Sequence, residues 1–423
     1  MLTERIQLMP GVFLNMFQTD RFKTGCFSFN LLQPLTLEDA APNALLPSVL
    51  LRGCRKYPDM QAISHRLDHL YGATVGTLVR KKGEVQSVGL YMDFLEDRYA
   101  EGEPIFSQMT DFLGQLLFEP CGAPDGFVEE YVESEVLNLT NTLDSRINDK
   151  RAWAVNRLLH SMCKDETYSV PRLGEKETLE GINGKNLYAR WQKMLSTSPI
   201  ELFYLGQQPK EAVLDAMDQL LKQLPARQVS PMPGTAVIHP QRDVQYVQES
   251  MDVTQGKMTI GFRTDITVHD PRYPAMTVLN AVYGSGMTSK LFVEIREAQS
   301  LCYYASSSMD KFKGIMMVDC GIEFQNYDVA LEGILHQLEL CKQGQISDEE
   351  LESARSYLIS SLKAGNDSPG RLDDYAVGQA IAGLTDTMDD MAVQLQAVTK
   401  EQVVEAANSL SLDTVYFLNG VEV

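Results

Sequence analysis

The sequence predicts an α+β fold made of two homologous domains, each a mainly antiparallel sheet with helices packed on one face. Three observations carry this. Segments that alternate apolar and polar residues, some paired across short turns, are grouped beside long segments with apolar residues at three- and four-residue spacing; such grouping is the pattern of an antiparallel sheet covered by helices. Landmarks of the first half recur in the second: Gly53 and Gly284 lie 231 positions apart, Tyr71 and Tyr303 232, and Phe94 and Phe324 230, as an internal duplication would leave them. Between the halves, LPARQVSPMPGTAV (224–237) holds three prolines and a glycine without periodicity and reads as linker. The expected division is 1–224, a linker at 225–240, and 241–423. At 423 residues and 44% hydrophobic composition, the chain has material for two cores.

In the first half, CFSFNLL alternates as a strand, 44–52 and 60–70 are expected helices, and 73–79 with 85–94 form a hairpin. The segment 105–118 carries an apolar stripe of Ile105, Met109, Phe112, Leu113, Leu116 and Leu117, the signature of a helix facing a core. Further helices are expected at 127–141, 150–162, 187–195 and 209–224, with a short closing strand at 201–205. The second half repeats the plan. Ser347 with Glu350, and Thr399 with Gln402, form capping boxes before apolar-periodic runs, because each side chain satisfies a backbone donor of the other. The segment 414–419 is the terminal strand.

Composition excludes several functions. A net charge of −20 opposes binding to nucleic acid or to anionic membrane surfaces. The first residues lack a basic segment followed by an apolar one, and no run of about 18 apolar residues occurs anywhere, so a cytoplasmic protein is expected. Seven cysteines at 26, 54, 121, 163, 302, 320 and 341 form no C-x-x-C pair and read as reduced thiols.

The most informative stretch is GSGMTSKLFVEIREAQSLCYY, from Gly284 to Tyr304. It sets Arg296 and Tyr303 seven residues apart across an expected helix-to-strand junction. A guanidinium and a phenol are donors that can be aimed at developing oxyanion charge. The plain alternative is an arginine favoured at a helix C-terminus and a tyrosine in a sheet. Tyr304 competes with Tyr303, since successive strand residues point to opposite faces. The GSGMTSK turn does not meet phosphate-loop spacing. Two histidines, His65 and His69, share one helix face with Asp68 between them in HRLDH; an H-x-x-D-H metal site is physically possible there, although the shorter Asp would draw a base away from metal-bound water.

Ser289, Leu291, Phe292, Ile295, Arg296, Glu297, Leu301 and Tyr303 resemble the second-half signature of the insulinase/pitrilysin-like zinc peptidases, S-x-L-F-x-x-[IL]-R-E followed by L-x-Y. The resemblance implies two homologous α+β halves forming part of a clam-shell that encloses a peptide. It also implies that Arg296 and Tyr303 contact substrate and help stabilise the tetrahedral intermediate at a zinc bound in another domain. Active members of that family carry H-x-x-E-H on the first helix of the first half. Registering this chain on Leu50–Gly53 puts Ala44, Leu45, Leu46, Pro47 and Ser48 in those positions. None of them supplies an imidazole or a carboxylate, and Pro47 predicts a helix that starts late or kinks. The family's downstream glutamate has counterparts in Glu133 or Glu135.

The resemblance therefore implies a catalytically incomplete subunit with no cofactor of its own. It would work with a zinc-bearing subunit of the same family on peptide or unfolded-protein substrates, without nucleic acid or membrane. Within the family the pattern is similar to the inactive member of bacterial pairs, including the type associated with elongation factor P 5-aminopentanol modification. Two other readings stay open: a non-enzymatic scaffold or peptide-holding subunit, and an independent metallohydrolase using His65, Asp68 and His69.

Overall fold

The structure, a computed structural model, describes residues 2–240 and 242–421. The first half contributes strands β1 (Leu2–Met9), β2 (Val12–Gln18), β3 (Thr24–Pro34), β4 (Thr74–Lys82), β5 (Val85–Leu95) and β6 (Ile200–Gly206), and the second β7 (Gln245–Met251), β8 (Gly256–Arg263), β9 (Cys302–Asp310), β10 (Ile315–Ile322) and β11 (Ser411–Gly420). They form a six-stranded sheet ordered β1-β2-β6-β3-β5-β4 and a five-stranded sheet ordered β7-β11-β8-β10-β9. Without β1, the first order becomes the second when each strand is replaced by its counterpart in the other half. Each sheet is antiparallel except for one pair, β2 with β6 and β7 with β11. The duplication that three landmarks suggested thus extends to strand order and to the single parallel pair.

The helices are α1 (Leu37–Leu50), α2 (Met60–His69), α3 (Ile105–Phe118), α4 (Glu129–Asp144), α5 (Lys150–Met162), α6 (Gly184–Thr197), α7 (Lys210–Leu221), α8 (Tyr273–Asn280), α9 (Tyr327–Lys342), α10 (Asp348–Gly365), α11 (Pro369–Ala382), α12 (Met388–Ala397) and α13 (Lys400–Asn408). Both expected capping boxes form, at Ser347 with Glu350 and at Thr399 with Gln402. The expected late start of α1 does not occur. Thr36 caps it by accepting from the Asp39 amide at 3.1 Å, and the helix runs through Pro42 and Pro47. Each interior proline costs about 3 kcal/mol. Leu45, Leu46, Val49 and Leu50 are all buried on the same helix, and each contributes about 1.5–3 kcal/mol, so burial wins.

Among the described residues the chain divides into two compact units. One comprises Met1–Asp144, Val170–Gly234 and Pro369–Ile381; the other Ser145–Ser169, Thr235–Ser368 and Ala382–Val423. A linear boundary at the linker does not describe them, because α5 comes from the first half of the chain and α11 from the second.

In the first unit, Phe27, Phe29 and Leu31 of β3 and Val88, Leu90 and Met92 of β5 share one buried cluster with Met109, Phe112, Leu113 and Leu116 of α3. Residues of opposite parity turn the other way. There Asp373 of α11 accepts from Ser28 Oγ at 2.8 Å and pairs with Arg80.

In the second unit, Met258, Ile260 and Phe262 of β8 and Met316, Val318 and Cys320 of β10 pack with α8, α9, α12 and α13. Its opposite face is covered by α5, with Ala154 and Leu158 against Tyr416 and Leu418. Thus the helical layer expected on one face is present in both units, and a single exchanged helix occupies each reverse face.

Candidate functional site

The motif segment folds as expected in outline, but its helix is π-helical over Leu291–Ala298. The wider turn is visible in the bond from the Gln299 amide to the Glu294 carbonyl, 3.1 Å, five residues back. Leu291 and Ile295 are fully buried and anchor the turn to the core. Gly284 lets it approach β9: a Cβ there would lie 2.6 Å from Ser307 Oγ and 2.8 Å from Leu291 Cδ1. That hydroxyl donates to Asn280 Oδ1 at 2.7 Å. The turn, the π-helix and β9 are therefore packed as one piece. Insertions of this kind are often found where a side chain must be re-aimed for function.

Arg296 leaves this turn with its guanidinium carbon 4.5 Å from the centre of the Phe292 ring. Its charged neighbour is Glu297, at 3.6 Å, and both side chains are well exposed. A contact this long and wet holds the guanidinium weakly. Arg296 is therefore available to a ligand.

Tyr303 lies on β9, an edge strand of its sheet. Tyr304 faces Gly321 of β10 and Cys302 faces Ile322, so the register shifts at Tyr303. The bulge overturns the expected alternation between the two tyrosines. Ala305 and Ser307 keep the parity of the helix-covered face and Tyr304 and Ser306 that of the α5 face, while Tyr303 is the extra residue, turned outward and 61% exposed. Bulges bend a strand and redirect one side chain in this way. The Tyr303 hydroxyl donates to Glu323 Oε1. That bond, with the carboxylate's charge, raises the phenol's pKa above its ordinary value. Burial pushes the neighbouring Cys302 thiol up to about 11, so it stays protonated.

In the first unit, the zinc-motif positions Ala44–Pro47 are buried and Ser48 is half-buried. Of the two candidate carboxylates, Glu135 on α4 is engaged elsewhere, accepting from Arg52 at 3.1 Å, and Glu133 is exposed to solvent. Arg52 also stands over the Tyr131 ring at 5.4 Å. A cation thus occupies Glu135, one of the two candidate acidic ligands, and Ala44–Pro47 bring no ligand atom of their own, so these residues do not fit zinc. His65, Asp68 and His69 are exposed on α2, with His69 Nδ1 2.6 Å from the His65 carbonyl oxygen. Among the described residues no group of three or more His, Cys, Asp or Glu could hold a metal ion.

Three residues beside the motif carry no sequence signal of their role. Glu323 follows β10 and reaches Tyr303. Arg151 comes from α5 and lies over the Tyr304 ring at 4.3 Å, and Lys257 of β8 lies over the same ring at 5.6 Å. Only the fold brings them together.

The chain is similar to known proteins over nearly its whole length. Residues 181–358 match the family described as the peptidase M16 inactive domain. A protein of Bacillus subtilis named a probable inactive metalloprotease, YmfF, is 31% identical over 97% of this chain and 96% of its own length. Another from that organism, named an uncharacterized zinc protease, YmxG, is 23% identical over 84% of this chain and 86% of its own. The crystal structure of a conserved protein from Enterococcus faecalis superposes with a TM-score of 0.90 at 28% identity, covering 99% of both chains. A peptidase M16 inactive domain from Pseudomonas fluorescens shares the fold, with a TM-score of 0.80 at 14% identity over 100% of this chain and 99% of its own. With 31% identity to the first relative over 97% of its length, and with that family match, the chain belongs to the peptidase M16 inactive domain family.

Proposed function

We propose that this chain is the zinc-lacking subunit of a two-chain peptidase, and that Arg296 and Tyr303 hold peptide substrate and stabilise oxyanion charge beside a metal carried by a family partner. The observation that carries the reading is the pairing of a loosely held arginine on a π-helical turn with a tyrosine turned outward by a bulge at an edge strand. Both donors stand on rigid elements, as oxyanion stabilisation requires. Because the Tyr303 proton is committed to Glu323, Tyr303 acts as a hydrogen-bond donor only when substrate displaces that carboxylate. A positively charged Arg296 needs no such exchange.

Reconstitution with a family member that carries an intact H-x-x-E-H tests the proposal. Peptide hydrolysis should appear only in the mixture, and Arg296→Ala with Tyr303→Phe should slow it by about 10²- to 10³-fold. An unchanged rate would sink the donor role. A complex that forms and binds peptide without hydrolysing it identifies a scaffold instead. The finer reading, a link to elongation factor P 5-aminopentanol modification, predicts that a strain lacking this chain loses that modification, read by intact mass of the factor.

A further inference from the structure

The reverse face of the second sheet carries a cationic cluster that the proposed donor pair does not use. Over Gly321, where a Cβ would lie 2.5 Å from Tyr304 Cε1 and 2.9 Å from Gln255 Oε1, the Tyr304 ring and the Gln255 side chain converge. Lys257 Nζ donates to that Gln255 oxygen and stands over the Tyr304 ring. Arg151 covers the same ring; its Nε donates to Asp319 at 2.5 Å and its Nη2 to Ser306 Oγ at 2.9 Å. Two carboxylates face the cluster. Asp319 is engaged by Arg151 and Ser306, and Asp149 caps α5 by accepting from the Arg151 and Ala152 amides. Among the described residues Lys257 has no carboxylate partner. Burial, and after it the neighbouring Arg151, lower its pKa, the response of a desolvated ammonium near a like charge.

We propose that Arg151 and Lys257, gathered on the Tyr304 ring one residue from Tyr303, form a carboxylate-binding site that takes an acidic group of the peptide held at Tyr303. The inference rests on the peptide-holding reading above and adds a substrate class to it. Arg151 offers a half-exposed guanidinium already oriented by Asp319, and such preorganised, charge-assisted donors are the strong ones for carboxylates.

The test uses the full chain and four synthetic peptides of one sequence: a free C-terminal carboxylate or its amide, each with an internal Glu or Gln, titrated by calorimetry at low salt. Binding at least tenfold tighter for one carboxylate than for its neutral counterpart supports the site, and which pair differs tells a C-terminal from a side-chain carboxylate. Lys257→Gln should abolish that difference and Lys257→Arg should restore it, while Tyr303→Phe weakens all four peptides equally. Equal binding of acid and neutral peptides overturns the site and leaves the peptide-holding reading standing. Binding of none of the four overturns both. The comparison of peptides on the unmutated chain holds even where a variant fails to fold.

Discussion

The hydroxyl of Tyr303 donates to the carboxylate of Glu323 across the open end of the second sheet. The bond favours the neutral phenol, so its pKa lies above the ordinary tyrosine value of about 10. Glu323→Gln removes the charge and should bring that pKa back down. Phenolate absorbance titrated at high pH, taken as the difference between each protein and its Tyr303→Phe counterpart, isolates this residue; a midpoint unmoved by Glu323→Gln would refute the coupling. The sign follows from the raised folded-state pKa. Whatever the bond contributes to stability is fully present below the unfolded value and is lost as pH rises through the folded one.

Arg263 bridges two buried carboxylates, Glu166 at 2.7 Å and Asp413 at 2.7 Å, and Lys313 reaches Glu166 at 2.7 Å. These groups pin the segment after α5 to β8. Removing Glu166 takes away one of the two carboxylates of Arg263 and the one that Lys313 reaches, and breaking a buried pair from one side typically costs about 3–5 kcal/mol. Glu166→Gln should lower unfolding stability by that amount in urea titration, and a loss under about 1 kcal/mol, the range of exposed pairs, would show that water reaches the network. Burial raises the Asp413 pKa, but hydrogen bonds from Thr414, Arg263 and Arg242 outweigh it and the net shift is downward. Its stabilisation is therefore present above about pH 3.9 and is lost as pH falls through the lowered value.

Gly284 fits against Ser307 and Leu291 with no room for a methyl group. Gly284→Ala should cost about 1–3 kcal/mol through overpacking. Adding Ser307→Gly removes one of the two clashing side chains and should recover part of the loss. Equal stability of Gly284→Ala and the unmutated chain in denaturant unfolding would show that the π-helical turn is free to shift.

Much of this architecture is written in local chemistry. The helix at 150–162 matches the observed bounds because its caps and apolar spacing agree. Both capping boxes form for the same reason. The β1–β2 hairpin escapes a sequence reading because its strands lie at one margin of the sheet, and most of β1 is half-buried or exposed. The π-helix is hidden because Leu291 and Ile295, four apart, suit an α-turn and a wider one alike. The bulge at Tyr303 and the gathering of Arg151 and Lys257 on Tyr304 depend on pairing between distant strands and on an exchanged helix, and neither leaves a local pattern. In the site, sequence alone identifies Arg296 and Tyr303 as candidates, but neither the Glu323 bond nor the Arg52–Glu135 pair.

Glu96 is 1% exposed at the end of β5. Its Oε1 accepts from the Gln207 amide at 3.0 Å, whereas among the described residues no donor meets its buried Oε2 at hydrogen-bonding geometry. Burial raises the pKa of this carboxyl; the Gln207 amide, the Gln208 side chain and Arg98 oppose it, Asp97 adds to it, and the net shift is upward. The neutral acid is thus the form the fold prefers. Because the folded-state pKa is the higher one, this contribution is fully present below the unfolded value of about 4.3 and is lost as pH rises through the folded value. Glu96→Gln keeps a carbonyl oxygen for the Gln207 amide and has no charge to bury. It should therefore match the unmutated chain near pH 4 and exceed it near pH 8 by about 1–3 kcal/mol, the cost of a buried polar group left unpaired. Urea unfolding of both proteins across that range measures the difference. A gap that closes as pH rises would mean that a cation or donor meets Oε2 in solution, and that Glu96 is held as a carboxylate.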